Sequence, residues 1–195
     1  HYNQLFFVPE VEFNIYDGIA LGMRFNNRSI LNKPFTFSAT PMYSSNTGTL
    51  VGKFSAVVED NIREKGKLYN IRYLVTGSRF HYTKDAFYTN FVPIVQFRFR
   101  DENLRVNKNE FIQLRQVYVN REKSEFTTDG NTENYNIFNI KYGNYQSEGT
   151  KHFSILNDLQ ISSSFGKVAT EVHYRKLFEN NRQISLRFFA GAFMF

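Results

Sequence analysis

The chain has 195 residues and a net charge of +6, with 22 Phe and 12 Tyr but neither Trp nor Cys. That length fits one domain or one large fragment, and the lack of Cys excludes disulfides and thiolate metal sites. Aromatics make up 17% of the chain and mean hydropathy is −0.44, yet no apolar run reaches the roughly 18 residues of a transmembrane helix.

Residues 1–10 read as a leader. From there strand and turn alternate, with apolar side chains at every second position and no helical period. In the first strand Ile19, Leu21, Met23 and Phe25 alternate with Ala20, Gly22 and Arg24. An Asn-rich turn (Asn26, Asn27, Asn32) ends at Pro34. The next strand sets Phe35, Phe37, Ala39 and Tyr43 against Thr36, Ser38 and Thr40. The turn SSNTGT leads into TLVGKFSAVVE, and the charged loop DNIREKGK into LYNIRYLVTGSRFHY, where Tyr69, Ile71, Tyr73 and Val75 share a face. The clearest alternation is AFYTNFVPIVQFRFR, in which Phe87, Phe91, Val95, Phe97 and Phe99 oppose Asn90, Gln96, Arg98 and Arg100.

After the polar loop DENLRVNKNE comes EFIQLRQVYVNRE, with a blurred alternation, and then the longest polar insertion, REKSEFTTDGNTEN. NIFNIKYGNY, HFSILNDLQISSSF, KVATEVHYRKLF and RQISLRFFAGAFMF complete about ten strands. Strands of about 10 to 14 residues exceed the 5 to 6 typical of soluble sheets. They suit a tilted bilayer crossing, which takes about 9 to 11. Pro41 and Pro93 fall inside strand patterns and predict bulges, because proline has no N–H for the ladder.

The pattern predicts an all-β fold: an antiparallel up-and-down transmembrane β-barrel, whole or part of a larger one, in a single domain over residues 1–195. Its expected location is the bacterial outer membrane. Phe35, Phe37, Phe91, Val95, Phe97 and Phe99 are the candidate lipid-facing residues, and Tyr69, Tyr73 and Tyr82 the candidate aromatic girdle. Arg98, Arg100, Glu171, His173, Arg175 and Arg187 are expected on the lumen side. The last four can form a cross-strand ladder, each opposite-charge pair contributing roughly 0.2–1 kcal/mol. A selectivity ring is the functional alternative for the same residues.

Candidate chemistry is sparse. His1, His81, His152 and His173 show no metal-ligand spacing, and no His-Glu-x-x-His motif occurs. No Ser-His-Asp order, phosphate-cradling glycine loop or close carboxylate pair stands out, and Asp17-Gly18 reads as a turn or bulge. Basic residues are dispersed and do not gather into the continuous patch that nucleic acid requires. The expectation is therefore a chain with no catalytic residue, cofactor, metal or nucleic-acid partner. Its expected partners are outer-membrane lipid and, through the aromatic Phe195, the barrel-assembly machinery; the alternative for Phe195 is a chain that stops mid-barrel. With no signal peptide visible and His1 first, the chain reads as mature or truncated.

The stretch YDGIALGMRFNNRSILNKPFTFSATPMYSSNTGTLVG resembles the opening of the β-barrel region of Bacteroidota outer-membrane proteins. In particular it is similar to the segment that follows the catalytic domain in gluzincin-type, aminopeptidase-N-like zinc metallopeptidases. The matching positions are Asp17, Gly18, Leu21, Gly22, Lys33, Pro34, Phe35, Pro41, Met42, Tyr43, Leu50 and Gly52, and FVPIVQFRFR and LRFFAGAF suit such barrels. The zinc ligands and general base of that family lie upstream of its barrel, and none of those motifs is present here. The resemblance implies the membrane part of a larger protein, anchoring or translocating a fused or associated domain. Two other readings stay open: a soluble β-barrel or sandwich enclosing an apolar ligand, and an open outer-membrane pore.

Overall fold

The computed structural model describes residues 4–29, 33–62, 66–101, 103, 106–126 and 134–194. Eleven antiparallel strands form one up-and-down sheet in the order β1 to β11. They are β1 (Phe6–Asn14), β2 (Gly18–Asn26), β3 (Phe35–Ser44), β4 (Leu50–Asn61), β5 (Leu68–His81), β6 (Phe87–Phe99), β7 (Lys108–Arg121), β8 (Tyr135–Glu148), β9 (Lys151–Ser162), β10 (Gly166–Leu177) and β11 (Gln183–Phe193). The all-β antiparallel fold follows the expected pattern, with eleven strands in place of about ten. His1, Asn32, Phe195 and part of the long insertion at 121–134 lie outside the described residues.

The additional strand is β1, which takes up the second half of the expected leader and runs on to Asn14. Phe7, Pro9, Val11 and Phe13 stand opposite Phe25, Met23, Leu21 and Ile19 of β2, and Glu10 and Glu12 fall on the other face. Pro9 hides this strand in the sequence. β1 ends the sheet order, and proline is tolerated on an edge strand because its missing N–H need not meet a neighbour.

Pro41 gives no register shift. Ala20 to Gly22 pair with Ser44 to Met42, and Phe25 and Asn26 resume with Ala39 and Ser38 in the same register, skipping Thr40 and Pro41. The ladder is interrupted where the N–H is missing, and the expected bulge does not form. Glycines on both flanking strands allow the close approach. A Cβ on Gly22 would lie 2.2 Å from the Pro41 carbonyl oxygen, and one on Gly52 (φ +149°) would lie 2.1 Å from that of Thr40.

The chain divides into two compact units. One is His1–Glu59 with Tyr73–Pro93 and Val117–Asn136; the other is Asp60–Arg72 with Ile94–Gln116 and Ile137–Phe195. In the first, the buried apolar cluster is small: Ala20, Met42 and Val51, with Phe87 packed against them. Period-two alternation gives each strand two chemically distinct sides, and the register assigns residues to them.

Candidate functional site

In the first unit, one side of the β1–β4 meander is apolar. Val11, Leu21, Tyr43 and Leu50 follow one another across it through the paired registers. Phe35 stands opposite Val58 and Phe37 opposite Ala56. Phe35 and Phe37 stack at 5.9 Å, and Phe54 bridges to Phe91 at 6.5 Å, which in turn contacts Tyr118 at 6.2 Å. Leu21 is 60% exposed, and Phe35, Phe91 and Tyr73 are exposed as well. Tyr69, half-buried in β5, belongs to the second unit. Tyr82, in the bend beyond β5, donates its hydroxyl to the Glu122 carbonyl.

The opposite side of the same meander carries charge. Arg24 Nε lies 3.2 Å and Lys53 Nζ 3.4 Å from the Glu10 carboxylate, and Lys53 also closes on Glu12. The Thr40 hydroxyl donates to Glu10 at 3.4 Å. Two adjoining cavities, about 460 and 370 Å³, open along this side and share Lys53 and Ser78. Sequence reasoning singled out none of these acidic residues or Lys53. They come together only through the register, and no local motif marks them.

Where the strands of this unit turn, a buried polar cluster ties the connections together. Asp17 and His81 are 1% and 4% exposed. Four donors reach the Asp17 carboxylate: Asn14 Nδ2 (3.1 Å), the Thr47 hydroxyl (3.3 Å), the His81 backbone N–H (3.0 Å) and the His81 ring Nδ1 (2.6 Å). The Ser44 hydroxyl and the Asn46 N–H donate to the Asp17 carbonyl at 2.6 and 3.1 Å. Phe87 covers the His81 ring at 3.9 Å and carries Arg79 at 3.8 Å. Phe87 thus packs on the charged side, opposite Phe91, where regular alternation would have put both on one side. The break falls at the first residues of β6, where the Phe87 N–H is taken by the Glu122 carboxylate at 3.2 Å. Gly18, at φ +67°, begins β2 as the turn expectation has it.

In the second unit the β8–β11 register again sorts the residues by side. Glu171, His173 and Arg175 share one side with Phe189, Arg187 and Ser185. Arg187 Nε lies 2.6 Å from the Glu171 carboxylate, and His173 Nε2 3.1 Å from the Ser185 hydroxyl. Arg175 stands opposite Ser185 and His152. The His152 and His173 rings meet edge to face at 5.7 Å, and the Ser147 hydroxyl lies 2.7 Å from His152 Nδ1. Neither imidazole is bonded to a carboxylate among the described residues, so these Ser–His contacts lack the third group that orients a general base. In β6, Arg98 Nε donates to Gln96 at 3.0 Å, and just beyond the strand the Arg100 N–H donates to the Lys67 carbonyl at 2.8 Å. Val95, Phe97 and Phe99 alternate with Gln96 and Arg98 and are half-exposed. Among the described residues no group of three or more His, Asp or Glu is placed to hold a metal ion.

No protein-family model, no curated protein and no solved structure matches this chain.

Proposed function

We propose that this chain is the membrane-embedded part of a bacterial outer-membrane β-barrel protein, itself non-catalytic, that anchors or translocates a partner domain. The observation that carries this is an inversion of burial. Among the described residues six hydrophobics are buried, whereas thirty-two large hydrophobics are exposed. In water each such side chain forgoes about 1.5–3 kcal/mol of burial; in hydrocarbon the same surface is solvated. Strands of 9 to 14 residues suit a tilted crossing, and the Glu10–Arg24–Lys53 cluster suits a watered interior. Eleven antiparallel strands leave β1 and β11 running in the same sense. Antiparallel closure then takes an odd number of further strands, and hydrocarbon does not tolerate an open edge.

The test is refolding of the full chain with phosphatidylcholine vesicles, followed by flotation and by gel mobility with and without heating. The reading expects co-flotation and a heat-dependent mobility change. A chain that stays monodisperse in buffer without detergent overturns it in favour of a soluble β fold around an apolar ligand. The charged groups on the polar sides, from Glu10 to Arg187, favour an open pore as the second reading. Stepwise conductance across a planar bilayer supports a pore, and a silent bilayer supports the anchor.

A further inference from the structure

The apolar side of β8–β11 is interrupted halfway along its strands. Phe138 with Ile161, and Ile140 with Leu159 and Val168, make it apolar towards one end; Phe153, Tyr174 and Leu186 do so towards the other. Between them Tyr142 stands opposite Asn157, and Asn157 opposite Thr170. Two bonded groups, Thr170 with Asn157 and Tyr142 with Glu110, make up a row that continues onto β7. The Thr170 hydroxyl donates to Asn157 Oδ1 at 2.8 Å, and the Tyr142 hydroxyl donates to the Glu110 carboxylate at 2.9 Å. Lys108 Nζ lies 3.3 Å from that carboxylate, and Asn144 Nδ2 donates to the Tyr142 oxygen at 3.4 Å.

On the membrane reading, on which this inference rests, Glu110 and Lys108 lie nearer the start of β7, and Tyr142, Asn157 and Thr170 lie at mid-depth on a side turned to lipid. Polar and ionisable groups there are costly unless protein covers them, and internal bonds satisfy only part of the row. Among the described residues the Asn157 Nδ2 donor has no side-chain partner, and the Glu110 carboxylate keeps acceptor capacity beyond Tyr142 and Lys108. The row is self-complementary, with an unused amide donor on β9 (Asn157) and the Tyr142 oxygen as an acceptor on the neighbouring β8.

We propose that the row Lys108–Glu110–Tyr142–Asn157–Thr170 is the contact surface for a second copy of this chain. A two-fold axis between β8 and β9 lays Tyr142 of one copy against Asn157 of the other and Glu110 against Thr170. The unused Asn157 Nδ2 donor of each copy then meets the Tyr142 oxygen of the other, the reciprocal contact that an isologous interface requires.

The chain has no cysteine, so a single introduced thiol reports without ambiguity. The full chain is refolded into vesicles and floated, its mass in detergent is measured by sedimentation, and Ile155→Cys, beside the row on the same side of β9, is treated with a short bis-maleimide. Ile184→Cys, on the same apolar side but off the row, is the comparison. The expected results are a mass of two chains, cross-linked dimer from Ile155→Cys and at least ten-fold less from Ile184→Cys. Asn157→Leu with Thr170→Val should raise the dimer dissociation constant at least ten-fold with an unchanged far-UV circular dichroism spectrum. A chain that floats yet sediments as a monomer, with lipid alone on the row, overturns the dimer and leaves the membrane reading intact. A dimer indifferent to those two substitutions also overturns it. Failure to float overturns the membrane reading itself.

Discussion

Asp17 and His81 stand 64 residues apart in the chain and 2.6 Å apart in space, Oδ1 to Nδ1, sealed from solvent. Asp17→Ala removes the common acceptor of four donors in three connections. Each buried donor left without a partner costs about 1–3 kcal/mol. The urea midpoint of the lipid-folded protein, followed by far-UV circular dichroism because the chain has no Trp, should fall markedly. Thr47→Ala removes a half-buried hydroxyl within hydrogen-bond distance of Asp17, Ser44 and Thr49, and should cost about 0.5–1.5 kcal/mol. Equal, small effects of both would show that the cluster does not hold these connections together.

Gly52 and Thr40 make a second constraint that can be read as a stability change. A Cβ at Gly52 would sit 2.1 Å from the Thr40 carbonyl oxygen, at a φ of +149°, so Gly52→Ala forces backbone movement as well as strain. The expected cost is about 2–4 kcal/mol, combining overpacking and an unfavourable backbone region. Gly66→Ala is the comparison, because nothing lies within 4 Å of that position; it should stay within about 0.5 kcal/mol of the parent. A Gly52→Ala variant as stable as Gly66→Ala would contradict the tight approach around Pro41.

Much of the strand architecture was legible because its signal is local. AFYTNFVPIVQFRFR alternates at period two and forms β6, and ENNR closes the β10–β11 hairpin with Asn181 at φ +59°. β1 was not legible, since a proline and two glutamates masked a short edge strand. Pro41 misled in a different way, because the missing N–H interrupts the ladder without adding a residue to it. The charged ladder of Glu171, His173 and Arg187 was readable from two adjacent strands. Glu10, Arg24 and Lys53 were not, since they sit on three strands and meet only once the register is set. Asp17 looked like an ordinary turn residue because its partner His81 lies four strands later.

Asp85, in the bend between β5 and β6, offers a pH test. The Ser124 hydroxyl and then the Glu125 backbone N–H, at 3.0 Å, hold its carboxyl below the ordinary value of 3.8. A lowered folded-state value means this contact stabilises the fold above pH 3.8 and loses its effect as pH falls through the depressed value. The amide resonance of Glu125 should therefore titrate with a midpoint below 3.8. In Asp85→Asn it should show no such titration. A midpoint at or above 3.8 would mean that the Ser124 and Glu125 donors do not favour the ionised carboxyl.

Leu21 lies in the middle of β2, on the apolar side and 60% exposed, and it separates a lipid-facing sheet from a water-facing one. In water an arginine at so exposed a position is nearly neutral, within about 0.5 kcal/mol. In a bilayer the cost depends on depth: about 2–4 kcal/mol for arginine at the midplane and about 0–1 near the interface. Leu21→Arg should therefore destabilise the vesicle-folded protein by the larger amount. Phe35→Arg, at the first residue of β3 on the same side, should cost the smaller amount. Unfolding titrations of both variants in phosphatidylcholine vesicles give the comparison. A steep difference between the two positions is what a hydrocarbon gradient produces. Two equal, near-zero values would mean that this side of the sheet meets water along its whole length.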